Sequence, residues 1–317
     1  MKRLLSDEFK ADLSSGGYLN PLLKRIQEDN TLMLAIREGY INVYYRGGNI
    51  LRLDKKEKHT YDAFFDKEYA SNSTFKIPDS PSSITSEMDI LEWINSFPVR
   101  KQIMDCWFAK HPKAEREFQQ LVVRENNYSS ISNESEYFIA DIEVTDPERG
   151  ARYDLLAFKW PSKERKTDNV RLALIEMKYG DDALGGKTSG VIAHLKQFDK
   201  LLRDPDTCGE LCDMAAGQIN QLNDLDLILH TKSEGRKFTV NKDRVEVIFL
   251  FANHNPRSKK LLNELKSTEF SSLAAKMSEY CDIRFFVSST AGYGMHRACM
   301  FKLDEYINFL NNMLSRK

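Results

Sequence analysis

Two strand-like segments on either side of a polar connection carry three charged side chains among apolar ones. The segments are RYDLLAFKW and VRLALIEMKYG, at residues 152–160 and 170–180. In a regular antiparallel hairpin centred on Arg165, Asp154 lies directly opposite Glu176. Because strand side chains alternate between two faces, Lys178 shares the face of Glu176. The spacing therefore predicts that two carboxylates and one ammonium group meet at a single patch.

The rest of that face is apolar, which places the charged patch at the end of a buried surface. Its side chains are Leu156, Phe158, Trp160, Val170, Leu172 and Leu174. Carboxylates that face each other across a sheet repel, and burying them is costly, so a positive partner is expected. Oxygen ligands favour Mg²⁺ or Mn²⁺ over zinc. A lysine beside such an ion would position or deprotonate a water, which is chemistry suited to phosphodiester hydrolysis.

The elements that position these residues are predicted from the apolar periodicity that begins after Pro112. Strands are predicted over 137–145, 152–160, 170–179, 245–251 and 283–288. Helices are predicted over 113–126, 189–203, 210–229, 258–266 and 303–314. This order predicts an α/β fold with a mixed β-sheet flanked by helices.

The first third of the chain has a different pattern. Apolar alternation over residues 34–56 predicts two or three strands, with a turn at 47–49. The stretch 71–86 contains six serines and two prolines and is typical of a loop. We therefore predict two domains, an N-terminal β-containing module over residues 1–105 and a core over residues 106–317.

The composition excludes several classes of protein. The chain has 46 basic and 47 acidic residues, a net charge of −1 at pH 7, so a polyanionic partner would have to bind a local patch. Apolar runs are shorter than the ~18 residues of a membrane-spanning helix. Asp7 and Glu8 interrupt the N-terminal segment where a secretory signal needs apolar residues, so a cytoplasmic location and no membrane partner are expected. Five dispersed cysteines favour neither a disulfide framework nor a zinc site.

The charged patch resembles the motif of the PD-(D/E)XK nuclease superfamily. In that family an Asp on one strand of a hairpin is followed by Glu-x-Lys on the next strand, and then by a helix carrying a polar residue. Asp154 matches the Asp, and Glu176-Met177-Lys178 matches Glu-x-Lys. The motifs cover residues 112–203, and element order alone extends the similarity to the later strands.

The resemblance implies a restriction-endonuclease-like core and a Mg²⁺-dependent (or Mn²⁺-dependent) nuclease that acts on DNA rather than RNA. Asp154 and Glu176 would hold the metal together with the carbonyl of Met177, and Lys178 would position the attacking water. Cutting both strands of a duplex often uses two such sites and hence a dimer, so a homodimer is compatible with the resemblance.

The flanking helices are expected to supply two further polar residues. The resemblance implies Gln197 on the helix after the hairpin and a glutamate on the helix before it. That glutamate is Glu115 or Glu117. Glu115 is favoured because it lies three residues before Phe118 and shares its inward face. Tyr153 stands where the family name has a proline.

Three other interpretations of the whole pattern stay open. Glu176 and Lys178 form an exposed ion pair in the first. In the second, the chain is a non-catalytic nucleic-acid-binding or protein-interaction module on the same fold. In the third, the N-terminal module is the functional part and the core is a scaffold.

Several single residues have both a functional and an ordinary interpretation. His194 precedes Gln197 by one turn, and a lone helical histidine is more often a surface residue. His254-Asn255 superficially suggests a His-Asn nuclease, but is interpreted as a loop at a strand end. The segment 44–46, Tyr-Tyr-Arg, either clamps nucleic acid or, as is favoured, belongs to a packed hairpin. Basic residues near the site either bind phosphate or form a solvated face; they are Lys159, Lys163, Arg165, Lys166, Lys187, Lys196, Lys200 and Arg203.

Overall fold

The computed structural model describes residues 3–146, 150–168, 170–231, 237–255, 257–288, 295, 297 and 300–315. Contacts within the chain define two compact units. The N-terminal unit comprises Lys2–Arg124 and Gly217–Thr231. The C-terminal unit comprises Glu125–Ala216 and Lys232–Lys317. No helix in the part of the chain described here is long and apolar enough to cross a membrane.

The N-terminal unit contains a five-stranded antiparallel sheet with the strands in chain order. Its strands are β1 (Leu32–Ile36), β2 (Tyr40–Tyr45), β3 (Gly48–Lys55), β4 (Tyr61–Phe64) and β5 (Ser83–Ile84). Its helices are α1 (Asp7–Leu13), α2 (Asn20–Gln27), α3 (Glu87–Lys110) and the greater part of α4 (Ala114–Asn127). The predicted strands are therefore present, and α1 to α3 are helices that the sequence pattern did not indicate.

The turn between β2 and β3 lies one residue earlier than predicted. Tyr45 pairs with Gly48, which leaves Arg46 and Gly47 as a two-residue connection. Both have positive φ, 50° and 73°. Such turns suit the right-handed twist of paired strands.

Helix α3 begins after the serine-rich stretch, with Ser86 and Asp89 forming a capping box. It packs against β3 and β5, and its buried residues lie on one face of the helix. That face includes the polar residues Ser96 and Arg100, whereas the apolar Met88 lies outside it and is exposed. The apolar stripe is therefore weak, and Pro98 lies inside the helix, which is why the sequence did not indicate a helix. The domain boundary predicted between residues 105 and 106 falls within this helix, whereas the compact units divide after Arg124.

The C-terminal unit is a mixed sheet flanked by helices. Its strands are β6 (Tyr137–Asp146), β7 (Ala151–Lys159), β8 (Val170–Tyr179), β9 (Val240–Ala252) and β10 (Cys281–Ser288). Its helices are α5 (Val191–Leu202), the first part of α6 (Pro205–Asp224), α7 (Lys260–Lys266), α8 (Thr268–Met277) and α9 (Leu303–Ser315). The order across the sheet is β10-β9-β8-β7-β6. β6, β7 and β8 are antiparallel, and β8, β9 and β10 are parallel.

The register of the β7–β8 hairpin is the one expected from the sequence. Leu155 pairs with Ile175 and Leu156 with Leu174. Every side chain of this apolar region is buried because helices cover the sheet, with α5 packing on β7 and β9, and α8 and α9 packing on β10. The ladder ends at the pair Leu155–Ile175, which are the chain neighbours of Asp154 and Glu176, so the register brings the predicted site residues to the end of the hairpin ladder.

Candidate functional site

The three charged residues of the hairpin are buried at this end of the sheet. Asp154 is 4% exposed, Glu176 1% and Lys178 4%. The Nζ atom of Lys178 lies 2.5 Å from Oε1 of Glu176. The interpretation of this pair as an exposed surface ion pair is therefore wrong, since neither side chain is solvated.

Asp154 is held against β8 through the main chain. Its Oδ2 atom accepts a hydrogen bond of 2.8 Å from the backbone N–H of Met177. In an antiparallel pair, the N–H and C=O groups of one residue point toward the same neighbouring strand. The backbone at Met177 is therefore turned toward Asp154, and the Met177 carbonyl as a metal ligand stays a prediction.

His194 belongs to this site, and the interpretation of it as a surface residue is wrong. It lies in the first turn of α5, is 8% exposed, and places Nε2 3.0 Å from Oε1 of Glu176. The same oxygen therefore contacts both Lys178 and His194. The spacing of three residues between His194 and Gln197 was the sequence signal for this placement, since such residues are neighbours on a helix surface.

The two helix residues named by the resemblance have different settings. Gln197 is half-buried on α5, and its Oε1 atom is buried without a hydrogen-bond partner in the described residues. Glu115 lies on α4 in the N-terminal unit and is half-buried; its role at the site stays a prediction. Glu117 is engaged elsewhere, because Arg46 donates to both of its oxygens at 2.9 and 3.1 Å.

The donor set suits a hard divalent cation. Asp154 and Glu176 offer carboxylate oxygens and Met177 a carbonyl oxygen, which are the ligand types preferred by Mg²⁺ and Mn²⁺. Two carboxylates buried in one region also call for positive charge. Lys178 supplies part of that charge in the structure, and a metal ion would supply more.

A second acidic group lies in the N-terminal unit. Ligand atoms of Glu8, Asp12 and His59 are all within 4.8 Å of one another. Internal contacts account for this arrangement, because Asp12 accepts from Tyr61 at 2.7 Å and Glu8 pairs with Lys55 at 3.1 Å. The group ties α1 to the β3–β4 hairpin.

Several basic residues expected near phosphate are engaged with protein partners. Lys159 lies 2.8 Å from Glu246, which also accepts a hydrogen bond from Tyr137. Arg165 donates to main-chain carbonyls, including that of Ser135 at 2.7 Å. Lys196 pairs with Glu269, and Arg203 pairs with Asp199. Lys159 and Arg165 are therefore held within the protein, whereas the side chains of Lys196 and Arg203 are more than half exposed.

The aromatic-basic turn of the N-terminal unit is also engaged. Arg46 pairs with Asp105 at 2.7 Å as well as with Glu117, and the hydroxyl of Tyr45 donates to Asp105. Gly47 donates its N–H to Gln120. These contacts are those of a packed hairpin, as the sequence analysis favoured.

His254 lies in the loop just after β9, as expected for a residue at a strand end. Its Nε2 atom is buried without a hydrogen-bond partner in the region described. Burial lowers the pKa of its imidazole below the ordinary value, and the Asp181 carboxylate opposes this effect. The ring is therefore held toward its neutral form.

Comparison with protein-family models, with curated proteins and with solved structures finds no match to this chain. The fold and the site geometry are consequently the basis for the assignment that follows.

Proposed function

We propose that the chain is a metal-dependent nuclease that hydrolyses phosphodiester bonds, with DNA as the expected substrate. The observation that carries the proposal is the buried group of Asp154, Glu176 and Lys178 at the end of the β7–β8 hairpin. Their types and spacing are those of the PD-(D/E)XK motif. The mixed sheet flanked by helices is compatible with a restriction-endonuclease-like core.

Each residue has a role that follows from its position. Asp154 and Glu176 would hold the divalent ion, with the Met177 carbonyl on the same side of β8 as Asp154. When bound, the ion would stabilise negative charge on the phosphate and favour ionisation of a bound water.

Lys178 holds its ammonium group against Glu176 and would orient or deprotonate the attacking water. Gln197 carries a buried amide oxygen that suits a hydrogen bond from a water or from substrate. The resemblance also implies a supporting glutamate on the helix before the hairpin, for which the sequence favours Glu115. These roles need no residue outside the set predicted from the sequence.

The competing proposal is a non-catalytic nucleic-acid-binding or protein-interaction module. The burial of Lys178 and Glu176 against each other is compatible with a purely structural pair, and Lys159 with Glu246 is such a pair in the same sheet. What favours catalysis is the presence of Asp154 beside the first pair. Each catalytic position of the motif is also occupied by the expected residue type, although Tyr153 replaces the proline.

The proposal is tested by plasmid digestion with and without Mg²⁺. We expect wild-type protein to cleave only with the metal. The cleavage rate of Lys178→Ala should be lower by about 100-fold or more, since this variant lacks the group that handles the water proton. Lys159→Ala is the matched control, because it removes a lysine paired to a buried glutamate in the same sheet. Equal cleavage by wild type and Lys178→Ala would refute the proposal.

A further inference from the structure

His194 lies at the buried site, although the nuclease motif does not include it. Its Nε2 atom is 3.0 Å from Oε1 of Glu176, and both side chains are at least nine-tenths buried. An ionised carboxylate only accepts hydrogen bonds, so the imidazole is the donor and its Nε2 atom carries a proton. The contact is therefore a charge-assisted hydrogen bond from α5 to β8.

The position of His194 is fixed by the packing of its helix. Phe198 lies one turn later on the same face of α5, and its ring centroid is 6.1 Å from that of Phe249. Phe249 is the register partner of Glu176 across β8 and β9, so these two side chains share a face of the sheet. Helix α5 is therefore anchored beside Glu176, and its first turn brings His194 to the carboxylate.

Lys178 contacts the same oxygen, but it cannot hold the carboxylate alone throughout the proposed reaction. Its Nζ atom lies 2.5 Å from Oε1 of Glu176. The lysine side chain is long and flexible, and the proposed function requires its ammonium group to turn to the attacking water. His194 has a short, planar side chain on a packed helix, so its hydrogen bond persists when that of Lys178 is broken.

We propose that His194 is a positioning residue, whose Nε2–H group holds the Glu176 carboxylate in the orientation that binds the metal. This inference rests on the proposed function, because that function assigns Glu176 to the metal. Loss of a hydrogen bond to a ligating carboxylate typically lowers metal affinity or activity by roughly 10- to 100-fold. His194 would act in this way through Glu176, without touching the metal or the substrate.

The first measurement is the Mg²⁺ concentration that gives half the maximal rate of DNA cleavage by the full-length protein. His194→Leu, which lacks a donor, should raise this concentration by about tenfold or more and leave the affinity for DNA in the absence of metal unchanged. His194→Gln should restore most of the wild-type metal dependence, because the amide nitrogen of glutamine can take the place of Nε2. A variant that is merely destabilised would lower the active fraction without shifting the metal requirement.

The second measurement is the affinity of the protein for Mg²⁺ and Mn²⁺, by calorimetry without nucleic acid. His194→Leu should bind both ions about tenfold or more weakly, and His194→Gln should bind them nearly as tightly as wild type. Tyr137→Phe is the matched control. It removes the neutral donor to Glu246, a buried glutamate of the same sheet that also pairs with Lys159, and should leave both affinities unchanged.

A third measurement is made on the wild-type protein and remains decisive even where His194→Leu fails to fold. Long-range ¹H–¹⁵N correlation spectra of protein with ¹⁵N-labelled histidines show which ring nitrogen of His194 carries the proton. We expect a proton on Nε2. A neutral ring protonated on Nδ1 alone would overturn the inference, because Nε2 could not then donate to Glu176.

The outcomes separate the inference from the proposed function. Cleavage and metal binding that are unchanged in folded His194→Leu would overturn the inference and leave the nuclease assignment intact. Equal losses in His194→Leu and His194→Gln would also overturn it, because the hydrogen bond would then not be the cause. Absence of Mg²⁺ and Mn²⁺ binding by the wild-type protein would overturn both.

Discussion

At the scale of single residues, the site is defined by charges that are buried together. Lys178 and Glu176 contact each other and are almost fully buried, so each compensates the charge of the other. Strand alternation was sufficient to predict that these residues share a face. The spacing of His194 and Gln197 indicated a shared helix face, but the contact of His194 with Glu176 was not predictable, because the way a helix is rotated against a sheet depends on packing that a single sequence does not display.

The buried pair makes a prediction about stability. Lys178→Met should lower the free energy of unfolding by about 3 kcal/mol, because it leaves the Glu176 carboxylate buried without its ammonium partner. Lys178→Met combined with Glu176→Gln should recover most of that loss, since the uncompensated charge is then gone. Urea denaturation monitored by circular dichroism measures both.

Lys56→Met is the control for this prediction, because Lys56 and Asp62 form an exposed pair with about half of each side chain in solvent. It should change the free energy of unfolding by less than about 0.5 kcal/mol. If Lys178→Met and Lys56→Met have the same small effect on the free energy of unfolding, the buried pair does not stabilise the fold in the way predicted.

At the scale of elements, the strands were more predictable than the helices. The β7–β8 register was predicted by centring the hairpin on Arg165 and by the alternation of strand side chains between two faces. The structure has that register. Helix α3 was missed because its buried face includes the polar residues Ser96 and Arg100, which weaken the apolar stripe, and because it contains Pro98. Helix α8 was missed because it follows α7 after a single intervening residue, Ser267.

Two glycines allow an element-scale prediction about the β2–β3 turn. Gly39 and Gly47 both have a φ of 73°. A Cβ atom at Gly39 would meet nothing within 4 Å, whereas at Gly47 it would lie 2.6 Å from the backbone of Arg116 on α4. Gly39→Ala should therefore cost about 1 kcal/mol from backbone strain alone, and Gly47→Ala distinctly more.

The measurement for the turn is the urea midpoint of each variant against wild type. Because both glycines share the same φ, their difference isolates the close approach of the turn to α4. Equal losses in the two variants would show that the turn does not depend on this contact in solution.

At the scale of the whole molecule, overall charge limits how the proposed nuclease could bind nucleic acid. The net charge of −1 provides no general attraction for a polyanion, and four of the basic residues near the site are paired with protein groups. Under the proposed function, binding would therefore depend on local groups at the site and not on a general field. The homodimer expected for cutting both strands stays a prediction.

The domain organisation shows where sequence reasoning ends. The serine- and proline-rich stretch at residues 71–86 led to a predicted domain boundary after residue 105, but residue 105 lies inside α3, a helix that packs with the N-terminal sheet. The N-terminal unit also takes residues Gly217–Thr231 from much later in the chain. Such a long-range return leaves no local mark in composition or periodicity.

The most direct test of the central claim is the rate at which Asp154→Asn cleaves a fluorescent DNA duplex across a range of Mg²⁺ and Mn²⁺ concentrations. The account predicts that this variant loses about 100-fold or more of the wild-type rate while its unfolding midpoint stays close to that of wild type, because asparagine keeps the shape but lacks the ligand charge. Asp199→Asn, which alters a buried carboxylate paired with Arg203 on α5, should retain cleavage wherever it is folded. Wild-type cleavage rates in folded Asp154→Asn would contradict the account.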